Sequence, residues 1–436
     1  MASAELSLLT KDVTVQAESK FSPDFLQARQ AAIEAFSRNV TPAGVVASSA
    51  GRFQGIFVRD AATAQCQAME KPQNGALKML IEGSRRTLIT TAEHQGTRYR
   101  TDTRERKGAI PHERHGFDGD QEHLAAIAKA PDGSWVQEVD GHYEGQNYRG
   151  LDSTLWWMCL YADHVQKTGD FVLMEQLWPN FEAAVSWQDR YGKKLIKGGF
   201  EGGKTPRNLG WKDSERAFVD ENGNFPAYPV APLDVNCVAY LADKKAADLY
   251  ELRGNHRKAQ SLRSRADQRR EMIDKLFWLD EYCVYAPAVD AFDQPIRTRT
   301  SDSTYALWAG VTNGKSSQIA RSMLESDLFV EGRGLRTRST NSKQFSDTDY
   351  QNGSLWYHLA PMAGAACEKL GLTREANAYD SCIPTIVDEE FPELDCADRS
   401  NNIFPYVEKD QTGVERPVGC KYFTMTIGAV LNRLAA

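Results

Sequence analysis

Asp213, in the run Gly210-Trp211-Lys212-Asp213-Ser214, and Glu393, in Phe391-Pro392-Glu393-Leu394, are carboxylates in similar local settings. Each has an aromatic nearby and a Gly or Pro close by, and each precedes a long apolar helical stretch. Side chains projected in this way from loops on a rigid scaffold suit general acid–base chemistry. A glycosidic bond is cut by two such groups facing across a sugar-sized gap. One protonates the leaving oxygen while the other activates water or attacks carbon. The competing role for either carboxylate alone is as a helix cap or a solvated loop residue.

Other polar and aromatic clusters lie in similar loops: Phe57-Val58-Arg59-Asp60, Ile110-Pro111-His112-Glu113, Tyr148-Arg149-Gly150-Leu151-Asp152 and Tyr350-Gln351-Asn352-Gly353-Ser354-Leu355-Trp356. Arg59, Asp60, Asp152 and Asn352 are of types that hydrogen-bond sugar hydroxyls, or that cap helices and stiffen a rim by ion pairing. Trp211 and Trp356 are flat enough to stack on a pyranose and large enough to be core residues. Gly310-Val311-Thr312-Asn313-Gly314-Lys315-Ser316 has one residue too few between its glycines for a phosphate loop and reads as a helix-to-helix turn. His112-Glu113-Arg114-His115 brings its second His one residue too early for the helical zinc motif, and no Gly-x-Ser-x-Gly elbow occurs.

With 52 basic and 59 acidic residues the net charge is -7, so no global positive field draws a phosphate backbone, and nucleic acid is excluded as a partner. No stretch reaches the roughly 18 apolar residues of a membrane helix, and residues 1–20 lack the basic start and apolar centre of a secretory signal. A cytoplasmic protein acting on a neutral ligand is the expectation. The eight cysteines, at 66, 159, 237, 283, 367, 382, 396 and 420, include no Cys-x-x-Cys pair and read as buried thiols, not as zinc ligands or a redox motif.

Helical periodicity dominates the chain, which predicts an all-α fold with few strands. Residues 256–278 place Ala259, Leu262, Ala266, Ile273, Leu276 and Phe277 on one face and Arg257, Lys258, Arg263, Arg265 and Arg270 on the other, as an outer helix would. Residues 231–249 are apolar around much of their circumference, as an enclosed helix would be. Enclosed helices are expected from near Asp60, Leu151, Val230, Thr304, Asn352 and Phe423, and amphipathic ones from near Asp24, Asn74, Phe171, Asn255, Lys315 and Thr373. Turns such as Lys167-Thr168-Gly169-Asp170, Leu252-Arg253-Gly254-Asn255 and Leu370-Gly371-Leu372 join them in pairs, each with a Gly where a helix should stop. Six such hairpins close an (α/α)6 barrel, a six-hairpin toroid. The long connections at 96–150, 194–229, 279–300, 327–349 and 391–419 would then gather at one mouth. No linker divides residues 1–436, so a single domain is expected, with 1–20 a flexible N-terminal segment.

The motifs, in order, resemble those of the amylo-α-1,6-glucosidase domain of glycogen debranching enzymes and related α-glucosidases of the six-hairpin superfamily. Arg59-Asp60 matches the early Arg-Asp pair, Ile110 to Glu113 an Ile-Pro-Asn/His-Glu segment, and Tyr148 to Trp157 a Tyr-x-x-x-Asp-x-Thr-Leu-Trp stretch. Gly210 to Ser214 is similar to Gly-Trp-Lys-Asp-Ser, and Gly334 to Thr337 to Gly-Ile-Arg-Thr. Tyr350 to His358 is similar to Tyr-His-Asn-Gly-Ser-Val-Trp-Pro-His, and Pro392 to Leu394 to Pro-Glu-Leu. The resemblance implies an (α/α)6 catalytic domain that hydrolyses α-glucosidic bonds with inversion, with Asp213 as general acid and Glu393 as general base. It implies contacts to substrate by Arg59, Asp60, Glu113, Tyr148, Asp152, Trp211, Lys212, Gln351, Asn352 and Trp356. Gln351 and Tyr357 stand where the family has His and Pro, and Phe57-Val58 where Trp-Gly is common, which implies an altered pocket. About 40 residues precede the first barrel loop, which leaves no glucanotransferase or β-sandwich domain and favours a small α-glucoside or oligosaccharide over glycogen.

For an inverting hydrolase no metal or organic cofactor is needed, and Asp213 must carry a proton. Burial against Trp211 would raise its pKa, and Lys212, if it points the same way, would lower it. Two rival readings are a sugar epimerase or isomerase using His112 and His358, and a catalytically silent carbohydrate-binding protein.

Overall fold

The computed structural model describes residues 23–50, 53–71, 75–116, 121–129, 135–192, 194–199, 207–409 and 414–435; the expectation for 1–20 lies outside them. Its helices are α1 (Pro23–Asn39), α2 (Val58–Ala68), α3 (Leu77–Ala92), α4 (Gln121–Ala128), α5 (Ser153–Thr168), α6 (Phe171–Tyr191), α7 (Leu233–Leu252), α8 (His256–Phe277), α9 (Ser303–Ala309), α10 (Ser316–Met323), α11 (Leu359–Lys369), α12 (Thr373–Asp380), α13 (Ile383–Asp388) and α14 (Thr424–Arg433).

Two kinds of helix follow from two kinds of sequence. In α5 every residue from Ser153 to Val165 is buried, and α2 is buried throughout. In α8 only Ala259, Leu262, Ala266, Arg269, Ile273 and Phe277 are buried, so its charged face meets water. The hairpin turns are set by backbone chemistry. Gly169 ends α5 in the left-handed conformation at φ 67°, and the Asp170 side chain then accepts the Leu173 N–H at 2.9 Å as the N-cap of α6. Asn255 caps α8 in the same way, accepting from Lys258 N at 3.2 Å.

The enclosed helices form a closed circuit: α14 packs on α2, α2 on α5, α5 on α7, α7 on α9, α9 on α11, and α11 on α14. The amphipathic helices lie against them, α1 on α14, α3 on α2 and α5, α6 on α5, α8 on α7, α10 on α9 and α12 on α11. One hydrophobic cluster runs through this arrangement from Ala32 to Leu434.

Three features depart from the sequence reading. The helix expected from near Asn352 starts at Leu359, because Leu355–Trp356 is a strand. Helices α4 and α13 are additional, and α4 rests on a separate small core of Leu124, Trp135 and Val136. Where few strands were expected, the described residues form two sheets of more than two strands. One has the order Phe329–Val330, Gly334–Arg336, Leu355–Trp356, Leu394–Ala397, Ile403–Phe404. The other has the order Ile56–Phe57, Glu113–His115, His142–Asn147, Val136–Val139. Strands of two to six residues are too short for alternation to show in a sequence. Both sheets lie in the connections that lead into enclosed helices.

Candidate active site

A cavity of about 290 Å³ is lined by Asp213 and Glu393 together. Arg59 and Asp60 come from the first turn of α2, Glu113 and His112 from the connection before α5, Asp213 and Trp211 from that before α7. Tyr350 and Trp356 come from the connection before α11, and Glu393 from that before α14. The first turns of α2 and α14, which carry Arg59, Asp60 and Met425, therefore meet the connections before α5, α7, α11 and α14 around one pit.

Glu393 is placed by sheet register. Trp356 pairs with Leu394, so the residue before Leu394 emerges beside Trp356, and the Glu393 carbonyl accepts from Tyr357 N at 3.3 Å. Glu390 and Phe391 are left-handed at φ 62° and 57°, a costly turn for residues with side chains, and it redirects the chain just before Glu393. The carboxylate accepts hydrogen bonds from the Tyr350 hydroxyl at 2.7 Å and the Cys420 N–H at 3.1 Å, and it is buried at 2% exposure.

Asp213 is held by its neighbours. Gln351 brackets it, its side-chain N–H donating to Trp211 O at 2.7 Å and its side-chain oxygen accepting from Ser214 N at 2.9 Å. Asn208 donates to Ser214 O at 2.7 Å, and Asp234 accepts from Trp211 N at 3.0 Å. Lys212 points away from the cavity, donating to Asp302 at 2.7 Å and to Thr337 O at 2.9 Å, while Asp302 also accepts from Trp211 Nε1 at 3.0 Å. The Asp213 side chain keeps 41% of its surface open, but that opening gives onto the cavity, where surrounding protein displaces water. This desolvation raises its pKa to about 6, against the lowering effect of Arg59, whose Nη1 is 3.8 Å from Asp213 Oδ2. Lys212 does not point the same way and so does not meet the condition for lowering this pKa; it faces Asp302.

Arg59 is fixed by a two-point contact with Asp152, Nε to Oδ2 at 2.5 Å and Nη2 to Oδ1 at 3.1 Å. Asp60 is raised to about 7, first by burial and then by the Glu393 charge, with Arg59 opposing. Glu113 is held down to about 2: burial alone would raise it, but the His115 hydrogen bond at 3.2 Å and the nearby imidazoles reverse the sign.

Of the residues that the sequence places at substrate, Arg59, Asp60, Glu113, Trp211 and Trp356 line the cavity. Five do not. Tyr148 donates to His94 O at 2.5 Å, Asp152 holds Arg59, Lys212 holds Asp302, Gln351 holds the Asp213 loop, and Asn352 donates to Arg216 O at 3.2 Å. Each of these polar groups is engaged by protein, and Asp152 and Gln351 act on the cavity through Arg59 and the Asp213 loop. Trp211 and Trp356 meet edge to face with centroids 5.5 Å apart. His112 lines the cavity, whereas His358, fully buried and drawn down to about 3 by burial, does not, so the pair of imidazoles that an epimerase reading needs is not assembled.

The sequence reading missed Phe53, Phe57, Ile127, Trp135, Arg149, Tyr350, Phe423 and Met425, which also line the pit. Tyr350, Phe57 and Arg149 lie inside motifs already picked out and could have been found there. Ile127 lies on α4, an eight-residue helix too short for its period to stand out, and Trp135 follows it outside any motif. Among the described residues no three His, Cys, Asp or Glu side chains are grouped as a metal site requires. No helix among them is long and apolar enough to cross a membrane.

Replacing Gln351 by Ala removes both ties around Asp213 and leaves a buried carbonyl and N–H unpaired. The expected result is destabilisation by about 1–3 kcal/mol and a kcat lower by about tenfold or more from misplacement. Urea unfolding and steady-state kinetics check it; unchanged values for both would remove the bracketing role.

A helical ring enclosing a pit with two carboxylates is suited to cutting a glycosidic bond. Residues 148–388 match the mannosylglycerate hydrolase MGH1-like glycoside hydrolase domain, and the chain belongs to this family of glycoside hydrolases. The structure is similar to the GH63 mannosylglycerate hydrolase from Thermus thermophilus in complex with Tris and D-glycerate. That match has a TM-score of 0.60 and 15% identity over 93% of this chain and 99% of the other. The same Thermus thermophilus hydrolase in complex with glucose aligns at TM-score 0.59 and 16% identity, with the same coverage. The rhamnosidase from Klebsiella oxytoca with rhamnose bound aligns at TM-score 0.56 and 14% identity, over 94% of this chain and 64% of that one. Comparison with curated proteins gives no match.

Proposed function

We propose that this glycoside hydrolase cleaves the α-glucosidic bond of a small α-glucoside or oligosaccharide with inversion, on an (α/α)6 toroid acting as one catalytic unit. One observation carries the reading: two carboxyl groups from remote loops line a single pit in opposite circumstances. Asp213 is desolvated and raised to about 6, whereas Glu393 is an acceptor for two donors. Protonated Asp213 gives its proton to the glycosidic oxygen as the bond to the anomeric carbon breaks. Glu393 takes a proton from a water that attacks the opposite face, so alcohol and sugar leave with atoms and charge balanced. Inversion requires the carboxyls to stand about 6.5–9.5 Å apart, with room for that water. Arg59 braces Asp213, Asp60 offers a proton-bearing carboxyl to a sugar hydroxyl, and Trp211 and Trp356 supply ring faces. A pit of about 290 Å³ is at the small end of ligand sites, which supports a small substrate.

The test follows the released sugar by NMR with α-linked disaccharides, α-glucosides and α-mannosides. Release of β-glucose from an α-glucoside is expected. Release of the α-anomer would overturn inversion, and exclusive cleavage of mannosides would overturn the glucose assignment.

The raised acid also sets a pH dependence. Asp213 is protonated below its pKa and ionised above it, so kcat/KM should fall on the alkaline side from pH about 6. Asp60, at about 7, titrates nearby, and the limb belongs to the coupled pair. An activity that stays flat from pH about 5 to about 9 would contradict a carboxylic acid as proton donor.

A further inference from the structure

Resting on the hydrolase reading above, we infer that the leaving group this enzyme prefers is a neutral alcohol with an apolar face, aryl or alkyl, packed against Phe53, Phe57, Ile127 and Trp135. These four form one wall of the pit. Phe53 meets Phe57 edge-on at 5.3 Å, Phe57 meets His112 at 5.9 Å and His115 at 5.3 Å, and Trp135 lies 5.8 Å from His115. Ile127 and Trp135 arrive from α4 and the segment after it, a cap on its own small core. Gly145 lets Trp135 lie close: a side chain there would meet the Trp135 ring at 3.0 Å and its carbonyl at 2.6 Å.

The wall stands on the general-acid side. Phe57 is the strand partner of Glu113 and lies two residues before Arg59, which approaches Asp213 to 3.8 Å. Tyr350, Trp356 and Phe423 form the side near Glu393, with Tyr350 bonded to it. Because the acid protonates the departing oxygen, the aglycone leaves toward the four apolar side chains.

Two polar groups beside this wall, Glu113 and His112, are already engaged within the protein. Glu113 is bonded to His115 at 3.2 Å, and His112 Nδ1 is 3.0 Å from Ser153 Oγ. Hydroxyls of a second sugar would find few partners there, at a cost for each one buried unpaired.

The experiment begins with α-glucosyl and α-mannosyl fluoride, whose leaving group makes no aglycone contact. Cleavage of neither sinks the hydrolase reading itself. In whichever series is cleaved, the benzyl and methyl glycosides have leaving alcohols of nearly equal acidity, so their kcat/KM ratio reports contact alone. The benzyl glycoside is expected to exceed the methyl glycoside, the glycerate glycoside and the disaccharide by about tenfold or more. Ile127→Ala and, separately, Trp135→Ala are expected to reduce the benzyl-to-methyl ratio several-fold; taking the ratio within each variant cancels any loss of folded enzyme. A ratio near one, a preference for the glycerate glycoside or the disaccharide, or a ratio that neither substitution changes overturns the inference while leaving the hydrolase reading in place.

Discussion

Asp213→Asn and Glu393→Gln are each expected to lower turnover of an alkyl glycoside by about 10²–10⁴-fold while the fold persists. Both changes are close to isosteric. Asp213 has part of its surface open to the cavity, and its loop is held through the Trp211 and Ser214 backbone, which Gln351 ties on either side of the carboxylate. A glutamine at position 393 could accept from the Cys420 N–H through its amide oxygen and donate from its amide N–H to the Tyr350 hydroxyl oxygen, so both contacts have a counterpart. The two variants should differ with leaving group. A departing fluoride needs little protonation, so Asp213→Asn should lose far less on a glycosyl fluoride than on an alkyl glycoside, whereas Glu393→Gln should be impaired on both, since each reaction needs an activated water. Equal losses on both substrates in both variants would remove the distinction of roles, and near-normal turnover by either would overturn the assignment.

The second large effect is on stability. Asp302→Ala should destabilise the protein by about 3–5 kcal/mol, because it leaves a buried ammonium without its counter-charge. Lys212 and Asp302 keep only 1% and 2% of their side-chain surface, and burial already pulls the Lys212 ammonium down while Asp302 opposes it. The same deletion frees Trp211 Nε1 and loosens the loop that carries Asp213, so activity should fall with stability. The double variant Asp302→Ala with Lys212→Met should recover part of the loss, since it removes the stranded charge. Urea unfolding of wild type, single and double variants checks this. A single variant as stable as wild type would show that the pair contributes nothing.

Long-range order explains which parts of the protein could be read in advance. The longer helices, such as α5 to α8, announced themselves through apolar residues repeating over several turns, together with glycines such as Gly169 and Gly254 at their ends. A strand such as Leu355–Trp356 holds two residues, and its existence depends on pairing with Leu394 and Asp395, which no local pattern records. The same dependence moved the start of α11 to Leu359.

The site divides in a similar way. Chemical type and local setting singled out Asp213, Glu393, Arg59 and Asp60 as groups able to move protons or bind hydroxyls, and those are properties a residue carries wherever it lies. Chemical type could not say which polar groups remain open to a ligand. Lys212, Gln351, Asn352, Tyr148 and Asp152 are as capable as the others, yet the folded chain commits them to Asp302, Trp211 and Ser214, Arg216, His94 and Arg59. Nor could it find Ile127 and Trp135, which reach the pit from a small separate core around Leu124 and Val136. By itself the sequence determined the helical periodicity, the hairpin turns and the supply of acid, base and aromatic groups. The tertiary structure alone decided which of them share one cavity, because that depends on strand register and on competition among buried donors and acceptors for partners far away in the chain.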